Sequence, residues 1–278
     1  MTATPQAIER QITAYIDNEE SLNVIHDPKK ASEYGYQAAL VTGVVTYGWA
    51  VPAIIEAVGE SWPESGWVEM AFRRPVYDGD EITLRVTPQP GDGDAFDWLA
   101  LNADEDRCVI GSAGAGRAPW FDELTEPPAR RTAEPAADPK VELTLANAPL
   151  GEELRPMGVA VSLEEAAELA SRVRDDDPRW SGDGALVHPN WLASQMYRLL
   201  LHSYDFYPSM HVRSQIQQLA LARAGQTLTM AATFLEAYER KVHHYATLGG
   251  SIFAEDGTEV FRVRYSTVFH IAKREQDG

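Results

Sequence analysis

Only one cysteine, Cys108, occurs in 278 residues. An internal disulfide is excluded, so the fold must rest on burial, as in proteins of a reducing compartment such as the cytoplasm. Basic residues are also scarce: 24 Lys and Arg face 42 Asp and Glu, a formal charge of −18. That charge repels phosphate backbones and argues against nucleic acid as a partner. An anionic ligand would need a local basic patch. Long apolar runs are missing too. The best, ALVTGVVTYGWAVPAII (residues 39–55), is interrupted by Thr, Gly and Pro and falls short of the roughly 20 apolar residues of a membrane span. It reads as a buried helix, and no membrane partner is expected. The first twenty residues have neither the basic start nor the apolar core of a secretory signal.

What is present is organised twice over. The length suggests two domains of ordinary size, and residues 119–140, rich in Pro and charge without apolar periodicity, mark the boundary. This divides the chain into 1–120, a linker at 121–150 and 151–278. Each half opens on a helical pattern with apolar residues at three- and four-residue spacing, TGVVTYGWAVPAIIEAV and then PNWLASQMYRLLLHSY. Strand-like runs follow each helix, with Asp78-Gly79 and Asp256-Gly257 as turns. FRRPVYDGDEITLRV from Phe72 and IQQLALARAGQTLTM from Ile216 form a weak repeat. A long helix followed by consecutive antiparallel strands, twice, predicts an α+β protein in which each curved sheet wraps its own helix.

The segment Asn23-Val24-Ile25-His26-Asp27-Pro28, followed by Ala31 and Tyr34-Gly35-Tyr36, resembles the hydratase segment of the MaoC-like hydratase/dehydratase family. Pro75-Val-Tyr-Asp-Gly-Asp80 resembles that family's strand-turn-strand, and Ser181-Gly182-Asp183 with His188 five residues later resembles its Asp-to-His pair. The resemblance implies a double hotdog fold and reversible hydration of an enoyl-CoA, or dehydration of a 3-hydroxyacyl-CoA, without metal or organic cofactor. The first half departs from the family pattern: Ser21 stands where the family has Asp, Val24 where it has Pro, and Thr42-Gly43 where it often has His-Gly. On that basis the first repeat is expected to hold the acyl chain and the second to carry catalysis, through Asp183 and His188. Asn23, His26, Ser181, Gly182, Thr42, Gly43 and His211 are secondary candidates.

The chemistry fits these residue types. An acid and an imidazole flanking one water can take its proton and return one to carbon 2, each contributing roughly 10²–10⁴-fold. Backbone N–H groups at a helix start suit the enolate oxygen. Arg73, Arg74, Arg213 and Lys241 are candidates for the CoA phosphates. Arg73 and Arg74, as strand neighbours, should point to opposite faces. Blander readings stand beside these. Asp175-Asp176-Asp177 reads as a solvated loop. His243 and His244 read as structural, and GSAGAGR (111–117) as small residues packing closely in a strand. Trp67, Trp98, Trp180 and Trp191 read as core more readily than as a tunnel lining. A thioesterase and a non-catalytic acyl-thioester-binding subunit remain alternatives, and a homodimer or a second hotdog chain is an open partner.

Overall fold

A computed structural model describes residues 7–16, 23–27, 29–91 and 94–273. The first repeat contains β1 (Ile8–Thr13), α1 (Gly43–Val58), the short α2 (Trp62–Ser65), β2 (Trp67–Phe72), β3 (Glu81–Pro88), β4 (Ala95–Leu101) and β5 (Arg107–Gly114). A two-residue strand β6 (Val141–Glu142) lies in the connection. The second repeat contains β7 (Met157–Val161), α3 (Leu163–Ser171), α4 (Pro189–Ser203), β8 (Tyr204–Asp205), β9 (Met210–Gln218), β10 (Gln226–Arg240), β11 (His243–Phe253) and β12 (Glu259–His270).

The ten long strands form one antiparallel sheet in the order β1-β3-β4-β5-β2-β9-β12-β11-β10-β7. The two repeats therefore join edge to edge inside one chain, β2 pairing with β9 from Trp67–Gln217 to Ala71–Arg213. Joining them removes the exposed edge each half-sheet would otherwise offer for misassembly. Gln217 fastens the seam: its Oε1 accepts the Ala118 N–H at 2.8 Å and its Nε2 donates to the Gly116 carbonyl at 3.0 Å. Both expected helices are present, α1 against β1, β3, β4 and β5 and α4 against β10, β11 and β12, and the two helices pack on each other. One core of residues from both repeats fills the space between.

Strand alternation explains the burial. β3 reads exposed or half-buried at Glu81, Thr83 and Arg85, and buried at Ile82, Leu84 and Val86, so one face meets α1 and the other is solvated. Gly111 and Gly114 lie on β5 where a Cβ would strike the rings of Trp98 and Trp67, so the glycine-rich GSAGAGR is a packing device. Trp67, Trp98, Trp180 and Trp191 are all core. No helix is long and apolar enough to cross a membrane among the described residues.

Candidate active site

A cavity of about 340 Å³ opens between the repeats, a size typical of small-molecule sites. Its walls combine the 23–44 loop of the first repeat, the start of α1, the end of β2, and the faces of α4, β9 and β12 turned toward them. Asn23, His26, Thr42, Gly43, His211, Arg73 and Arg74 all line it, whereas Asp183, His188, Arg213 and Lys241 do not.

His26 sits on a single 3-10 turn, Val24–His26, whose N–H returns to the Asn23 carbonyl at 3.0 Å. The Asn23 side chain, itself buried, reaches the second repeat: its Nδ2 donates to the Ser209 carbonyl at 2.6 Å and its Oδ1 accepts the Ser209 N–H at 3.4 Å. The imidazole Nδ1 lies 2.7 Å from the Leu40 carbonyl. A carbonyl only accepts, so Nδ1 carries the proton and Nε2 is the basic nitrogen. Burial lowers the His26 pKa below its ordinary 6.5, and the hydrogen bond to Leu40 opposes that shift without cancelling it. The ring is thus neutral near pH 7, as a general base must be.

The start of α1 faces the same space. Thr42 is its N-cap, yet the threonine side chain makes no capping bond. Among the described residues the N–H groups of Gly43 and Val44 have no hydrogen-bond partner. Two orphan donors at the positive end of a 16-residue helix, opening on a cavity, suit an oxygen that gains negative charge. Gly43 packs closely: a Cβ there would stand 2.8 Å from the Phe72 ring, so any larger residue would have to push that ring aside.

The second repeat treats the matching place differently. His188 is the N-cap of α4, as Thr42 is of α1, but Pro189 at the first helical position has no N–H, and the His188 ring itself accepts the Asn190 N–H at 3.2 Å. The imidazole is fully buried, 4.7 Å from the Trp180 ring, and its Nε2 meets Asp175 Oδ2 at 3.1 Å. The expected Asp183–His188 pair is therefore corrected. Gly182 and Gly184, at φ of 75° and 88°, turn the chain so that Ser181, Gly182 and Asp183 stand in solvent, and the carboxylate that meets His188 is Asp175.

Two further expectations change with it. The Asp175–Asp177 run is not a solvated loop: Asp175 is 6% exposed and Asp177 caps the following turn by accepting the Arg179 N–H at 2.9 Å, leaving only Asp176 exposed. Burial raises the Asp175 pKa, but hydrogen bonds from His188 and the Asp177 N–H outweigh it, and the net shift is downward. Arg73 and Arg74 do not diverge, because β2 stops at Phe72. Beyond the strand both line the cavity and both are exposed. Arg74 pairs with Asp106 at 3.2 Å, while Arg73 makes no ion pair among the described residues.

His211 stands in the wall with its Nε2 2.8 Å from Ser214 Oγ, and burial pushes its pKa down to about 3. Arg213 instead pairs with Glu69 at 3.1 Å, and Lys241 lies on the β10–β11 hairpin turn. No three His, Cys, Asp or Glu side chains gather as a metal site among the described residues. Ser21, where the resemblance expects an acid, lies outside the described residues. Phe72, Tyr197, Ser209 and Tyr265 also line the cavity and were not singled out from sequence. Each belongs to a strand, a helix or a turn whose pattern shows only burial, so their convergence needed the topology.

No family model matches the chain, and no curated protein sequence matches it. Solved structures do. A conserved hypothetical protein of Mycobacterium tuberculosis, Rv0216, essential for bacterial survival during infection and described as a double hotdog, is 15% identical with a TM-score of 0.66, covering 96% of both chains. A putative MaoC domain dehydratase from Chloroflexus aurantiacus is 14% identical with a TM-score of 0.62, over 97% of this chain and 96% of that one. A putative oleoyl thioesterase from Lactobacillus plantarum is 10% identical with a TM-score of 0.54, over 96% and 98%. With its single inter-repeat sheet and two central helices, the chain is an α+β double hotdog protein, sharing the fold of the MaoC-like dehydratases.

Proposed function

We propose that the cavity between the repeats hydrates an α,β-unsaturated acyl thioester and, in reverse, dehydrates a 3-hydroxyacyl thioester. One observation carries this reading: a neutral, half-buried imidazole and the uncapped start of α1 line the same cavity. In hydration, His26 Nε2 takes a proton from water as the water oxygen bonds to carbon 3. Electrons of the carbon–carbon double bond move to the thioester oxygen, where the Gly43 and Val44 N–H groups stabilise the enolate. The imidazolium then returns the proton to carbon 2. Water is added with no atom left over, and the reaction calls for no metal or organic cofactor.

The roles of the repeats are thereby exchanged relative to the sequence expectation. The first repeat supplies the chemistry, and the second supplies α4, β9 and β12 as a wall. Arg73 and Arg74 at the end of β2 suit the phosphates of CoA, the local basic patch that so acidic a chain needs.

Hydrolysis at the thioester carbonyl is the second reading, since a putative oleoyl thioesterase shares the fold and the same N–H donors would serve its oxyanion. The described cavity wall holds imidazoles but no Asp or Glu, which favours hydration over a carboxylate-driven hydrolysis. The test is a panel of enoyl-CoA substrates followed by ultraviolet absorbance and by free-thiol release. Loss of the conjugated band without thiol release supports hydration. Thiol release alone assigns the site to hydrolysis.

A further inference from the structure

We infer that Asn23 is a positioning residue that ties the His26 turn to the second repeat, so that the base of one repeat is placed by a connection of the other; the inference rests on the hydration reading above. Asn23 stands at the N-cap of the Val24–His26 turn, where an asparagine side chain ordinarily accepts an N–H of its own turn. It makes no such capping bond. Its amide reaches instead to Ser209, 186 residues along the chain in the connection from β8 to β9: Nδ2 donates to the Ser209 carbonyl at 2.6 Å and Oδ1 accepts the Ser209 N–H at 3.4 Å. A carbonyl only accepts, which fixes the orientation of the amide. Asn23 is 6% exposed and Ser209 2%, so water does not readily take the place of these bonds.

His26 needs such a tie because three residues of 3-10 helix carry too few hydrogen bonds to hold a side chain still. Two anchors do so, one from each repeat. In the first repeat, the Leu40 N–H donates to the Ile25 carbonyl at 3.1 Å, the Leu40 carbonyl meets His26 Nδ1 at 2.7 Å, and the neighbouring Val41 N–H donates to the Val76 carbonyl at 2.8 Å. In the second, Ser209 leads directly into β9 at Met210, whose carbonyl accepts the Thr267 hydroxyl of β12 at 2.9 Å. Asn23 therefore couples the turn to the strand that meets β2 at the seam. Without that anchor the turn is held from one side only. A misplacement of about 1 Å at a reacting group can cost roughly 10²-fold in rate, whereas the rest of the cavity still binds substrate.

The experiment is steady-state kinetics on an enoyl-CoA accepted by the wild type, with melting temperatures and the imidazole nitrogen NMR signals of His26, for Asn23→Leu, Asn23→Ala and Asn23→Gln. Leucine keeps the volume and deletes both bonds, while glutamine keeps the amide on a longer stem. In the leucine and alanine variants kcat should fall about 10- to 100-fold with KM within about threefold of wild type, and glutamine should recover part of the loss. The wild-type ring should give the two separate nitrogen signals of a single tautomer protonated at Nδ1, and Asn23→Leu should shift or broaden them. A folded Asn23→Leu protein with wild-type kcat overturns the inference, and so does a rise in KM at unchanged kcat, which makes Asn23 a substrate contact. If the wild type turns over no enoyl-CoA, the hydration reading fails and the His26 signals alone decide: altered by Asn23→Leu they support the tie, unaltered they overturn it.

Discussion

Replacing Asp175 tests whether the second repeat's histidine is a structural pin or part of a working site. Asp175 and His188 are both buried, at 6% and 0% exposure, and meet at 3.1 Å. Removing one partner of such a pair leaves a buried polar group uncompensated, which costs about 3–5 kcal/mol. Asp175→Ala should approach that range. Asp175→Asn keeps one acceptor for the His188 Nε2 proton and should fall near its lower end. At about 2–4 °C per kcal/mol for a chain of this size, the alanine variant should melt roughly 6–20 °C lower by differential scanning calorimetry. Replacing both partners, Asp175→Val with His188→Phe, should recover most of the loss, because the pair's worth against well-packed apolar side chains is small. Turnover at a temperature where every variant is folded should be unchanged. A destabilisation below about 1 kcal/mol, or abolished turnover in a fully folded Asp175→Asn protein, would refute the reasoning.

The same carboxylate makes stability depend on acid. Its folded pKa lies below the ordinary 3.8, so the unfolded chain binds the proton first as pH falls. Its contribution is complete above the unfolded value and is lost as pH drops through the folded one; Asp175→Ala should flatten that limb of a stability profile. Catalysis should show a different limb. His26 must be neutral to act as base and its pKa is lowered, so the acid limb of kcat/KM should have its midpoint below pH 6.5. A midpoint above 6.5 contradicts the assignment. Arg73→Ala should raise KM for CoA thioesters about five- to tenfold, roughly 1–1.4 kcal/mol, and less at high salt. Thioesters of a phosphate-free pantetheine analogue should not respond, and an equal effect on both would remove Arg73 from the phosphate site.

Much of the architecture was written in apolar spacing. Both central helices and most long strands follow from 3.6- and two-residue periodicity, and the Phe72 and Ile216 repeats correspond to the β2–β3 and β9–β10 connections. The edge strands β1 and β7 carry little alternation and were not legible. Helix α3 announces itself with a capping box, in which Ser162 Oγ accepts the Glu165 N–H at 3.1 Å and Glu165 accepts the Ser162 N–H at 2.8 Å, a signal present in the sequence as Ser-x-x-Glu. The site divided more sharply. Asn23, His26, Thr42 and Gly43 line one cavity, although departures from the family pattern at Ser21, Val24 and Thr42 argued against that half. Asp183 and His188 kept the right spacing in the wrong geometry. Sequence spacing does not reveal that two left-handed glycines carry the acid outward, nor that an aspartate thirteen residues before His188 folds back to meet it. The discriminating signal was Pro189, whose missing N–H already ruled out the first donor a helix start would offer.

The central claim is that chemistry resides at His26 in the first repeat. Its most direct test is the turnover number of His26→Gln on an enoyl-CoA accepted by the wild type, measured beside Asp183→Asn with melting temperatures for both. The account predicts a loss of about 10²–10⁴-fold for His26→Gln with the fold intact, and wild-type turnover for Asp183→Asn. Full activity in His26→Gln together with an inactive, folded Asp183→Asn would contradict it.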